Sequence, residues 1–252
     1  MGIAFLLALA FQSPPGSNGQ PYYTEASIAN TAASIANYYA PNSFVTIYGL
    51  NLSDSTTALS GNGLQTILPG SHVTVLINNL LADLWYVSAT QINLLVPSEL
   101  TAGPATVQIE VNGFAGPPVG IMLTALAPAM FQADATTALA AHLNGQVVSA
   151  ASPAQPGELV VLYASGLGPT VPPAIANQAP QTAAFVATPG FGVWLNGSQV
   201  DSSAVPYAGV TPGYAGLYQI NLFIPANTPP NPQIQIGWAG QLSPAQVFLP
   251  IE

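Results

Sequence analysis

The sequence predicts an all-β protein built from two tandem immunoglobulin-like antiparallel β-sandwich domains. Three observations predict it. The phrase QINLLVP at residues 91–97 returns as QINLFIP at residues 219–225. The chain has 252 residues, half of them hydrophobic, with 25 prolines and 23 glycines spread throughout. Short alternating apolar stretches sit between turn signals, about seven per copy of the phrase. Proline at this density breaks helices and suits short strands joined by turns.

The elements around the phrase repeat in order. APNSFVTIYGLNL (residues 40–52) and QPGELVVLYASGLG (residues 155–168) each give a proline turn, a strand reaching Tyr48 or Tyr163, and a glycine-containing turn. SHVTVLINNLLADLWYVS (residues 71–88) and FGVWLNGSQVDSSAVPYAG (residues 191–209) each read as a strand, an Asn-centred turn and a second strand, hence a hairpin. The phrase itself reads as a strand with Ile92, Leu94 and Val96 inward and Gln91 and Asn93 outward. Pro97 and Pro225 end it. Two further hairpins follow, turning at Asn112-Gly113 and Ala239-Gly240. EASIANTAASIANYY (residues 25–39) reads as loop and strand. The expected domains are residues 25–127 and 139–252. Residues 128–138 form the connector, and residues 1–24 an apolar segment with its tether.

Charge excludes whole classes of partner. There is no lysine or arginine, and nine acids give a formal charge of −9. Nothing neutralises phosphate, so nucleic acid is excluded as a partner. The same lack argues against anionic membranes and against nucleotide sites that use a cationic side chain. Without cysteine there are no disulfides, thiolate nucleophiles or Cys-ligated metals. Stability has to come from burial and hydrogen bonds.

No motif carries catalysis. His72 and His142 lack metal-ligand spacing and read as surface or loop residues. Ser165 in YASGLG is not a nucleophile elbow and reads as a turn serine. The acids are evenly spread and read as solvated, and no EF-hand loop exists. A calcium ion bridging loops at the domain junction is the one metal alternative. No cofactor and no catalytic or metal-ligating residue is expected. Tyr22, Tyr23, Tyr38, Tyr39, Trp85, Trp194, Tyr207, Tyr214 and Trp238 could make an aromatic sugar platform. On alternating strand positions their commoner role is core or interface.

Several phrases resemble the Solibacter-type uncharacterised C-terminal domain of secreted acidobacterial proteins. They are Ala40-Pro41-Asn42, YVSATQINLLVP, VNG, APAMF, SPAQPGELVVLYASGLGPT and GLYQINLFIP. The match covers roughly residues 25–252. Asn42 replaces the turn glycine, and Ala164-Ser165 replaces the usual Ala-Thr. The resemblance implies tandem immunoglobulin-like modules on exported proteins, with no established function. Members carry the unit behind a propeller or an enzyme, so a stand-alone copy is expected to be itself the functional object.

The first residues set the functional expectation. Residues 3–11 are apolar but too short to span a bilayer as a helix. Ala8-Leu9-Ala10 fits a signal cleavage site, although a positively charged start is missing. As a donor strand instead, Ile3, Phe5, Leu7, Leu9 and Phe11 would be the subunit-interface residues, docking on a neighbouring sandwich. The leading expectation is a non-catalytic extracellular or cell-surface structural or adhesive subunit that self-assembles into filaments. The alternative is a secreted monomeric module binding a polysaccharide or a protein. Neither reading needs a membrane span in the mature chain.

Overall fold

The computed structural model describes residues 19–61, 63–176 and 178–252. The described residues fold as two tandem immunoglobulin-like β-sandwiches. Their only helical pieces are single 3-10 turns at Glu25–Ser27 and Ser202–Ala204.

The first sandwich contains β1 (Ile28–Asn30), β2 (Phe44–Tyr48), β3 (Thr57–Ala58), β4 (Val73–Ile77), β5 (Leu80–Leu81), β6 (Asp83–Val87), β7 (Gln91–Leu95), β8 (Gly103–Val111), β9 (Phe114–Ala115) and β10 (Val119–Leu123). One sheet has the order β1-β2-β7-β6-β3 and the other β10-β8-β4-β5. The second sandwich contains β11 (Ala129–Met130), β12 (Ala140–His142), β13 (Leu159–Ser165), β14 (Thr170–Val171), β15 (Ala184–Val186), β16 (Gly192–Leu195), β17 (Ser198–Gln199), β18 (Tyr207–Val210), β19 (Tyr218–Phe223), β20 (Ile234–Trp238) and β21 (Gln241–Leu242). Its sheets run β11-β13-β19-β18-β15-β14 and β17-β16-β20-β21. All the named strand pairs are antiparallel.

The repeated phrase is the central strand of one sheet in each sandwich. β7 lies between β2 and β6, and β19 lies between β13 and β18. Period-two alternation sends Ile92 and Leu94 into the first core, and Ile220 and Leu222 into the second. Ile92 and Ile220 are both fully buried. Burying such a side chain is worth about 1.5–3 kcal/mol.

The turns repeat as well. Asn78-Asn79, Asn112-Gly113 and Asn196-Gly197 all hold positive φ at both residues, the backbone that two-residue hairpins need. Asn78 Oδ1 accepts from the Thr106 N–H at 2.8 Å, and Asn196 Oδ1 accepts from the Gln233 N–H at 2.9 Å. Each turn is thereby tied to the neighbouring strand of its own sheet.

Two sequence expectations change. The hairpin expected across residues 71–88 closes after two residues: β4 pairs with β5, then the chain crosses and β6 pairs with β7 in the opposite sheet. The copy at residues 191–209 does the same, with β17 on β16 and β18 on β19. A continuous apolar run gives no sign of a sheet change, because both partners are apolar. Residues 128–138, read as a connector, contribute β11 to the second sandwich.

The sandwiches are packed end to end. Phe44, Leu95 and Ala215 form a small core, with Leu64, Trp85, Phe131 and Leu217 around it. Phe44 meets Trp85 and Phe131 edge-on, with ring centroids 5.2 and 6.0 Å away. The Phe44 N–H donates to Ser165 Oγ at 3.0 Å across the junction. Gly216 sits at φ 70, where a Cβ would overlap Leu95 Cδ1. Any other residue would be strained at this φ and would push Leu95 aside.

Candidate functional site

A cleft of about 240 Å³ opens beside this junction. The first sandwich supplies the start of β6 and the segment after β7. The second supplies the loop between β14 and β15, which carries Pro172, Pro173 and Pro180, and the Ala215-Gly216 turn. Leu64, Leu81 and Ile175 give apolar walls, while Asn42, Gln178 and Gln181 give amides. Ser98, Thr170 and Thr182 add hydroxyls. Loops held by rigid sheets are where binding groups are commonly placed.

Asp83 is the chemically unusual group on this wall. It begins β6 opposite Leu95, on the sheet face turned away from the core. It is only 8% exposed. Its Oδ1 has no hydrogen-bond partner within the described residues. Burial, aided by the nearby Glu99 charge, pushes its pKa up to about 6. No lysine or arginine exists to pair with it. Glu99, also on the cleft, accepts from Ser98 Oγ at 3.2 Å. No three His, Asp or Glu side chains converge among the described residues. The two carboxylates stand as hydrogen-bond acceptors beside a mostly apolar wall.

The residues singled out in the sequence fall elsewhere. Ser165 is fully buried and clamps the junction rather than capping a surface turn. His72 is exposed at φ 50, and its carbonyl accepts from the Asn112 N–H. His142 lies in a row with a serine and an acid. Its Nδ1 is 2.5 Å from Glu158 Oε1, and its Nε2 is 3.3 Å from Ser152 Oγ. The order is that of a charge-relay triad, but the surroundings are not. Nε2 also faces the Ser152 carbonyl at 3.2 Å. The Ser149 and Ser152 N–H groups are spent on each other's carbonyls, so neither of these two is free for an oxyanion. The row is a staple between the β12 strand and the turn before β13.

The nine candidate aromatics do not form one platform. Tyr23, Tyr39, Trp194 and Trp238 are buried in the sandwiches, and Trp85 packs at the junction. Trp85 Nε1 is buried without a partner among the described residues. Ile3, Phe5, Leu7, Leu9 and Phe11 lie outside the described residues. Sequence reasoning missed Asp83. Its signal was an acid set inside the apolar run LLADLWYV, where a charge is costly to bury.

No family model and no curated protein matches the chain. Among solved structures it is similar to a surface glycan-binding protein of Prevotella bryantii, at 13% identity and TM-score 0.30 over 87% of this chain. It is also similar to a Bacteroides ovatus surface glycan-binding protein from a mixed-linkage glucan utilisation locus, solved with a mixed-linkage heptasaccharide. That similarity is 12% identity and TM-score 0.36 over 95% of this chain. The I9-I11 tandem from titin gives 8% identity and TM-score 0.26 over 92% of this chain, and 65% of its own length is covered. The chain spans 40% and 48% of the two glycan-binding proteins' lengths.

Proposed function

We propose that this chain is a non-catalytic extracellular module that binds a neutral polysaccharide in the cleft between its sandwiches. One observation carries the reading: the buried Asp83 carboxylate, unpartnered at Oδ1, on the wall of that cleft. A buried charge without a partner costs stability, and such groups cluster at functional sites. A ligand rich in hydroxyls brings donors to the two carboxylates, Asp83 and Glu99, that line the cleft. Glu99, Gln178 and Gln181 extend the same hydrogen-bonding along the cleft, and the leucine and proline walls suit the C–H faces of sugar rings. An anionic ligand would meet two carboxylates and no cation. The phrases resembling the Solibacter-type domain support an exported protein. The self-assembling subunit, the leading expectation from the sequence, rests on residues outside those described, and no observation among the described ones favours it.

Isothermal titration with soluble neutral polysaccharides tests the reading. The wild type should bind at least one of them. Asp83→Ala should weaken that binding roughly ten- to hundredfold, the loss expected for a hydrogen bond to a charged group. Unchanged binding by the variant, or no binding by the wild type, would sink the proposal.

A further inference from the structure

The outward faces of the two repeated strands carry the same four side chains in the same register. In the first sandwich Tyr48 lies opposite Gln91, and Asn93 lies opposite Tyr86. In the second, Tyr163 lies opposite Gln219, and Asn221 lies opposite Tyr207. The amides are joined identically: Gln91 Nε2 donates to Asn93 Oδ1 at 2.8 Å, and Gln219 Nε2 donates to Asn221 Oδ1 at 2.8 Å. All eight side chains are half-buried. The outward polar letters of the repeated phrase are thus the centre of a duplicated surface cluster.

Core packing does not call for this quartet, because the residues facing the core are the alternate ones, Ile92, Leu94, Ile220 and Leu222. Each Gln-to-Asn bond fixes the order of the amide groups. It leaves the second Gln N–H, the Gln carbonyl and the Asn NH₂ as donor, acceptor and donor for a ligand. A tyrosine stands beside each amide across the strands, where cross-strand neighbours lie within reach. Fixed donors and acceptors bordered by aromatic rings match a sugar ring, which has polar edges and apolar faces. The quartets contain no charge, which fits a neutral ligand. The clusters differ at one tyrosine, since Tyr207 donates to the Val210 carbonyl at 2.7 Å and meets Phe185 edge-on, but the amide pairs match, and a pair of like clusters fits a ligand that itself repeats.

We infer that the two Tyr-Gln-Asn-Tyr faces are equivalent secondary subsites for one neutral polysaccharide chain. The inference rests on the proposed binding of neutral carbohydrate and adds where a long chain is held outside the cleft. Where one chain bridges both faces, two tethered weak sites give an avidity that neither has alone, by a factor on the order of 10²–10⁴.

Affinity electrophoresis tests this on the full chain, because its −9 charge drives it through a native gel. The gels contain soluble mixed-linkage β-glucan, xylan or galactomannan. Gln91→Glu and Gln219→Glu keep side-chain shape and remove the amide NH₂ from each face, the bond to its Asn included. The urea midpoint of each variant is measured alongside, to confirm that it is folded. The wild type should be retarded by at least one polymer, either single variant should need at least tenfold more polymer for equal retardation, and the double variant more still. Folded single and double variants retarded as strongly as wild type would overturn the inference. If Asp83→Ala alone then abolished retardation, the cleft reading would stand without the faces. A wild type retarded by none of the polymers would overturn both.

Discussion

Leu95 and Phe223 occupy the same position of the repeated strand, but only Leu95 is covered by a neighbouring domain. Leu95 is 5% exposed beneath Ala215 and beside Phe44, whereas Phe223 is 44% exposed. The cross-strand partner changes with it, from Phe44 in the first sandwich to Leu159 in the second. The same register thus builds a junction in one copy and an open face in the other.

The two positions should therefore differ sharply in stability. Leu95→Ala opens a cavity in the junction and should cost about 2–5 kcal/mol. Phe223→Ala removes a side chain largely in water and should cost about 1 kcal/mol or less. Urea unfolding of both variants checks this. Equal losses would show that the junction does not contribute as described.

Much of this fold was legible in the residues because its signals are local. Asn78-Asn79 and Asn196-Gly197 announce their turns, and Ile92 and Ile220 announce the buried face by alternation. The sheet change after Ala82 was not legible, because β5 and β6 are both apolar and only long-range pairing separates them. The cleft was hidden for the same reason. Asp83 meets the loop around Gln178 and Gln181 only after the two sandwiches pack. The amide pairs were half visible: QIN places Gln and Asn outward, but the flanking Tyr86 and Tyr207 come from a neighbouring strand.

Asp83 should make the fold less stable as pH rises. Its folded pKa, about 6, lies above the ordinary 3.8, so the folded chain holds a proton that the unfolded chain releases between those values. Stability then falls as pH climbs from 3.8 to about 6, and the cost persists above. Asp83→Asn should remove this slope and raise stability near neutral pH by on the order of 1–3 kcal/mol. Urea midpoints across pH decide it, and a variant less stable than wild type near neutrality would refute the assignment of a destabilising charge.

The His142–Glu158 pair should act within a window. The hydrogen bond to Glu158 raises the His142 pKa above 6.5, with slight burial opposing. Its contribution is full below 6.5 and is lost as pH rises through the raised value. For Glu158, burial pushes the pKa upward, but the bonds from His142 and the Gln155 N–H outweigh it and hold the pKa below 4.5. That contribution is full above 4.5 and is lost as pH falls through the lowered value. The stability gap between wild type and His142→Gln should be widest between 4.5 and 6.5 and narrow on both sides. A gap constant from acid to alkaline pH would rule the pair out as its source.

Acid alone should not unfold the chain. No carboxylate pairs with lysine or arginine, and protonating Asp83 relieves a cost. Near-UV circular dichroism should persist to about pH 3. A cooperative loss of that signal between about pH 5 and 3 would contradict this expectation.

The most direct measurement is the affinity of the wild type for a neutral polysaccharide by isothermal titration, at about pH 7.5 and about pH 5. Hydroxyl donors in the cleft bind the charged form of Asp83, whose pKa is about 6. Affinity should therefore be higher at the upper pH and fall at the lower, and Asp83→Asn should flatten the difference. Binding that is equally strong at both pH values in the wild type, or no binding to any neutral polysaccharide at either, would contradict the account.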